Sequence, residues 1–228
     1  MNFLEPAPDK KTATLTELIA AVRPYFIKGW QNYPDEILEE LRNACNNYSF
    51  LTEFVFGEIK KGAWPKLHGA QSFLCYECEE FVIRLNLWFP EKESPVAEQI
   101  KKYFSIDLLH NHNFALFTAG LFGPGYSTHL FRWNDVSYER KVGETLEIEP
   151  LGQHSLCHGS ALYLESDADF HLQLWPESFS ISLNLIPATP EDQTPCQYIL
   201  NKDRTIREIL YTGTISRGTV KSRAKRSS

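Results

Sequence analysis

Apolar residues recur every three or four positions in the first quarter of the chain, and every second position beyond it. Within 14–30, Leu15, Leu18, Ile19, Val22, Phe26 and Ile27 mark one helical face that Pro24 interrupts. Pro34-Asp35-Glu36 places a proline and two acids where a first helical turn favours them, and Ile37, Leu38, Leu41, Ala44 and Cys45 follow as one stripe. Helical character continues through Phe50, Leu51 and Phe54 to Ile59 and ends near Gly62. Each of these helices carries an apolar face that needs a partner.

From about Phe73 the texture changes to short extended runs punctuated by Gly, Pro and Asn. Strands are predicted over 72–77, 80–88, 113–122, 126–133, 144–149, 160–165, 170–175, 179–186, 196–201 and 205–211. Short connections predict antiparallel pairing, and segment 92–108 reads as a connecting helix or lid-like loop. The expected layout is one mainly β domain over 1–216, with a helical cap (1–62) and a β-barrel (72–211).

Composition supports that picture. Of 228 residues 43% are hydrophobic and 13% aromatic, enough for a substantial core. No stretch approaches the roughly 18 uninterrupted apolar residues of a spanning helix, and the N-terminus lacks a basic segment followed by an apolar run. A cytoplasmic location without a membrane partner is expected. The net charge is −6, and since 217–228 (RGTVKSRAKRSS) carries five bases and no acid, −11 remains on residues 1–216. An acidic body argues against general nucleic-acid binding, and the basic, Ser-rich tail is expected to be disordered. Five cysteines without regular spacing read as free thiols; Cys75-x-x-Cys78 lacks the second pair of a zinc site and interrupts an extended run instead of opening a helix.

The densest polar signal lies in 108–131, where His110 and His112 are two residues apart at the start of an extended run. In a strand they share a face and can lean onto one metal ion. His171, in FHLQLW after the turn ESDAD, is the best candidate for a third ligand, because a barrel brings distant strands together. Asp169 has the strand parity to orient His171. His129, after the turn Gly123-Pro124-Gly125, is a candidate proton donor or fourth ligand in the same cavity. His154 and His158 flank Cys157 in a Gly- and Ser-containing segment and receive no role. The string His-Asn-His is too short to indicate a nuclease.

Over roughly residues 80–190 this layout resembles the cupin superfamily, and within it the three-histidine thiol dioxygenases of the cysteine dioxygenase type. VIRLNLWFP followed by His110-Asn111-His112, the strand and Gly turn of FALFTAGLFGPGYSTHLF, then DFHLQL and SISLNLIPATP carry the resemblance. It implies a cupin-like double-stranded β-helix, a jelly-roll barrel, with Fe(II) on His110, His112 and His171. Where that family carries Ser-x-His-x-Tyr, this chain has Ser182, Asn184 and Ile186, and the family's carboxylate-binding arginine has a counterpart in Arg84.

Three neutral histidines leave a divalent ion its full charge and open positions, which suits a small anionic substrate, amino acid or thiol-like, beside O2. Tyr126, His129 and Asn184 are the candidate catalytic groups; Arg84, Tyr163 and Ser182 are the candidate substrate-binding groups. Two other classes fit the same residues: a zinc-dependent hydrolase or isomerase, and a non-catalytic barrel that binds a small molecule.

Overall fold

The computed structural model describes residues 2–6, 11–68, 71–91, 105–135, 140–188 and 196–211. After β1 (Asn2–Leu4), helix α1 (Leu15–Ile27) begins at Thr14, which forms a reciprocal capping box with Glu17. Pro24 is accommodated inside this helix, and a short 3-10 turn (Trp30–Asn32) leads to α2 (Pro34–Cys45), with Pro34 at its first position. α3 (Phe50–Lys60) completes the helical part.

The strands that follow are β2 (Lys66–Leu67), β3 (Ser72–Glu77), β4 (Phe81–Trp88), β5 (Leu109–Asn111), β6 (Leu116–Phe122), β7 (Ser127–Trp133), β8 (Ile148–Ser155), β9 (Ala161–Leu164), β10 (Asp169–Gln173), β11 (Ser180–Pro187), β12 (Cys196–Leu200) and β13 (Ile206–Tyr211). One sheet runs β1-β9-β6-β11-β4-β3-β2 and the other β13-β12-β5-β10-β7-β8. From β4 onward the chain mostly alternates between the sheets, so that β9-β6-β11-β4 faces β5-β10-β7-β8 with antiparallel neighbours throughout. That is the eight-stranded jelly roll, and the fold is mainly β and cupin-like.

The helices cover a face of the barrel instead of closing an end. Leu18, Val22, Ile37, Leu38, Leu41 and Phe50 pack on Ile83, Leu85, Phe117, Ala119, Leu183 and Leu185 of the first sheet. Full burial of side chains such as Leu38 and Leu41 stabilises the layer by about 1.5–3 kcal/mol each. The first sheet is thereby covered on both faces, and every described residue of β11 is buried. Its alternation runs opposite to that of a half-solvated sheet: Ile181, Leu183 and Leu185 face the helices, while Ser182 and Asn184 face the barrel interior.

Most strands lie where the sequence predicts them. The differences are β1 and β2, which the sequence does not predict, β5, which is separate from β6, and β8, which runs Ile148–Ser155 and not 144–149. β8 is an edge strand, exposed from Glu149 to Gln153, so it lacks the apolar alternation that locates a strand in sequence. Residues 92–104 of the expected connecting helix or loop and the basic tail 217–228 lie outside the described residues. Among the described residues no helix is long and apolar enough to cross a membrane.

Candidate metal centre

β5 lies between β10 and β12, and His110 is in direct register with His171 on one side and Ile199 on the other. His112 follows the end of β5 and turns back onto the same point. His171 Nε2 lies 3.1 Å from His110 Nε2 and 3.0 Å from His112 Nε2, and ligand atoms of all three residues fall within 4.8 Å of one another. His110 and His171 are buried and His112 is partly exposed.

Burial and mutual proximity keep all three rings neutral. The His110 value is pushed down to about 4 by desolvation, against the opposing effect of its hydrogen bond to the Leu108 carbonyl. Burial, His110 and Arg84 push His112 well below the ordinary range; burial and the other two histidines do the same to His171. His110 Nδ1 lies 2.8 Å from the Leu108 carbonyl, which can only accept, so this nitrogen carries the proton and Nε2 presents its lone pair. His112 Nδ1 lies 3.1 Å from Gln197 Nε2; turning the amide over would set its oxygen there and fix the same tautomer as in His110. His171 Nδ1 is buried without a hydrogen-bond partner, so the orienting bond expected from Asp169 is not made. Asp169 accepts from Arg132 at 3.0 Å and from the Glu165 backbone at 2.8 Å. With two of the Nε2 separations near 3 Å and all three ligand atoms within 4.8 Å of one another, the group could hold a metal ion.

A cavity of about 220 Å³ adjoins the histidines, lined on the opposite sheet by Arg84, Asn86, Trp88 and Asn184 and closed by Tyr126 and Gln173. Arg84 is brought there by its place on β4, where residues 84, 86 and 88 point inward and 83, 85 and 87 toward the helices. It has no carboxylate partner among the described residues, its Nε lacks a hydrogen bond, and burial alone lowers its value to about 10. A desolvated guanidinium facing a cavity is a site for an anion.

Of the residues singled out in the sequence, the structure brings His110, His112, Arg84, Tyr126 and Asn184 to the cavity, with His171 against the two other histidines and Ser182 directly behind Asn184. It does not bring His129 or Tyr163. On β7 the buried, inward positions are Thr128 and Leu130, which turns His129 to the outer face. On β9 Leu162 and Leu164 face inward, and Tyr163 stacks on Phe117 at 4.7 Å beneath the helices. His154 packs on Phe3 and His158 on Tyr48. Sequence reasoning missed Asn86, Trp88, Gln173 and Gln197. The first three carry a signal: each stands two or four residues from an inward candidate on the same strand. Gln197, on another strand, carries none.

No family model matches this chain. No curated protein matches it either. Among solved structures it is similar to hydroquinone 1,2-dioxygenase PnpCD, in complex with Cd2+ and 4-hydroxybenzonitrile, at 12% identity and a TM-score of 0.34, over 51% of this chain and 63% of that one. Hydroquinone 1,2-dioxygenase from Sphingomonas sp. TTNP3 with 4-hydroxybenzoate bound is similar at 11% identity and a TM-score of 0.36, over 57% and 77%. RmlC from Streptococcus suis in complex with dTDP-D-xylose is similar at 8% identity and a TM-score of 0.30, over 54% and 52%. The match to the first of these leaves more than a third of that protein without a counterpart, and at such identities the likeness concerns strand arrangement alone.

Proposed function

We propose that the protein is a mononuclear non-haem iron dioxygenase, with Fe(II) held by His110, His112 and His171, acting on a small anionic substrate. The observation that carries this reading is the meeting of three neutral imidazoles beside a cavity that an arginine lines without a carboxylate partner among the described residues. Held by these three neutral imidazoles, a divalent ion would keep its charge and open positions for substrate and O2.

Iron(II) bound there supplies the one-electron chemistry that O2 needs, and both oxygen atoms enter the substrate, so no external reductant is consumed. The protein's own residues bind and orient. Arg84 holds the substrate's anionic group, and the Trp88 and Tyr126 rings, 4.4 Å apart, wall the cavity against water. Tyr126 stays protonated, because burial raises its value, and so remains a hydrogen-bond donor at neutral pH.

The test is elemental analysis of untagged, freshly isolated protein and of His171→Ala, together with oxygen uptake on a panel of small thiols and amino acids. Iron near one per chain that is lost in the variant, with O2 consumed by the wild type alone, is expected. Stoichiometric zinc without oxygen uptake would replace this reading with a hydrolase or isomerase. Metal content unchanged by His171→Ala would leave a barrel that binds a small molecule without catalysis.

A further inference from the structure

The residue between the paired histidines points the other way. Asn111 closes β5, and because successive side chains of a strand alternate between faces, it turns away from the cavity that His110 and His112 line. Its ladder partner is Phe170, in the cluster of Trp133, Phe170 and Tyr198 on the outer face of the second sheet, and Asn111 is fully buried there. A buried amide needs partners at both ends, and Asn111 has them. Oδ1 accepts from the Tyr198 backbone N–H at 2.7 Å, and Nδ2 donates to the Asp167 backbone carbonyl at 2.9 Å. A backbone N–H only donates and a backbone carbonyl only accepts, so the direction of this amide is fixed.

These two bonds lie where the backbone ladders give out. The β5–β12 pairing ends at His110 opposite Ile199, and the β5–β10 pairing at Asn111 opposite Phe170, so no ladder holds His112. Continued past Ile199, the first register sets Asn111 opposite Tyr198 and His112 opposite Gln197. The Asn111 side chain carries that pairing onward: Oδ1 holds the Tyr198 N–H, which keeps β12 alongside and Gln197 Nε2 within 3.1 Å of His112 Nδ1. On the other side Asp167 is gripped twice, its carbonyl by Asn111 Nδ2 and its N–H, at 2.7 Å, by the His112 carbonyl. With φ at 64° Asp167 adopts the left-handed turn conformation, which aspartate tolerates better than most residues.

We propose that Asn111 is the positioning residue of the metal centre: by tying β12 and the turn before β10 to the end of β5, it sets where the His112 ring stands relative to His110 and His171. The inference rests on the three histidines holding a metal, and it adds a residue outside the cavity to the groups on which metal binding depends. His110 needs no such support, because two ladders and the Leu108 carbonyl hold it. Loss of Asn111 is therefore felt as loss of His112, the ligand beyond the strand.

Cobalt(II) is the probe, titrated into the full chain against a competing chelator and followed by its visible spectrum. Asn111→Leu keeps the volume and removes both bonds; Asn111→Ala is a second variant that cannot overfill the site. Each is expected to bind cobalt about tenfold or more weakly than wild type, with the spectrum of His112→Ala. Adding Asn111→Leu to His112→Ala is expected to cost less than about threefold further, since the residue acts through that ligand. Asn46→Ala removes another buried asparagine, bonded to the Lys11 carbonyl in the helical layer. It is expected to lower the melting temperature and leave cobalt affinity and spectrum as in wild type, which separates positioning from a loosened fold. Cobalt affinity and spectrum unchanged in the Asn111 variants, or a loss of equal size with and without His112, would overturn the proposal. Histidine-ring NMR of metal-free protein keeps the two readings apart. His112 signals that shift in the Asn111 variants while those of His154 stay, in protein that takes up no cobalt, sink the iron reading alone; cobalt bound by wild type, with His112 signals unmoved in the variants, sinks the positioning role alone.

Discussion

His171 lies directly across the β5–β10 ladder from His110, and their Nε2 atoms are 3.1 Å apart. Two strands that must bring these lone pairs together are held more firmly when a cation bridges them, since a ligand bound only by the folded state adds to its stability. Chelation of the isolated protein is therefore expected to lower its melting temperature, and His171→Ala, with one ligand gone, should show a lower starting temperature and little further change with chelator. An equal response to chelator in wild type and variant would place the metal elsewhere.

In metal-free protein the same histidines make stability depend on pH. The folded-state value of His110 is lowered to about 4, against about 6.5 when unfolded, so between those limits the unfolded chain binds a proton that the folded one refuses. Stability is thus fully present above pH 6.5 and is lost as pH falls toward 4. From His110 alone the loss between pH 7.5 and pH 5 is about 2 kcal/mol, and His112 and His171, shifted in the same direction, add to it. Urea melts of chelated protein should show this slope, and His110→Gln should flatten it.

Gln197 Nε2 lies 3.1 Å from His112 Nδ1, and with the amide turned over its oxygen accepts the Nδ1 proton and leaves His112 Nε2 free for metal. Gln197→Leu is expected to weaken metal binding by about 10–100-fold, whereas Gln197→Glu, which also offers an acceptor there, should retain it. A competition titration with a metal indicator distinguishes the two; equal loss in both variants would mean that the residue contributes packing alone.

The sequence made the three-histidine group legible because its signal is local and chemical: a histidine pair at i,i+2, and a third histidine on a later strand. Topology then supplied what spacing could not, setting His171 in register with His110. His129 and Tyr163 were misplaced for a physical reason. Near β7 and β9 both faces of the sheets are covered, by the barrel interior on one side and by the helices or the Trp133–Phe170 cluster on the other. Each phase of Thr128-His129-Leu130-Phe131 and of Leu162-Tyr163-Leu164 therefore contains a large apolar or aromatic residue, and alternation no longer tells inside from outside. Arg84 and Asn184 stayed legible because polar residues alternate with large aliphatic ones on β4 and β11, so one phase is marked even though both are buried.

Cys75 and Cys78, spaced like a redox or zinc pair, are expected to be chemically quiet. Burial raises Cys75 to about 12 and raises Cys78 as well, and their sulfurs approach the Phe73 and Phe81 carbonyls instead of each other or a cation. Cys45, fully buried at the end of α2, is pushed higher still. The thiolate is the reactive form, and at pH 8 almost none of it is present at Cys45 or Cys75. Native protein treated with a maleimide at that pH should leave both unlabelled, while the same protein in denaturant reacts at both. Mass spectrometry of the labelled peptides reads this directly, and rapid native labelling of Cys75 would show that β3 opens away from the helices far more readily than its packing against Phe81 and Leu85 allows.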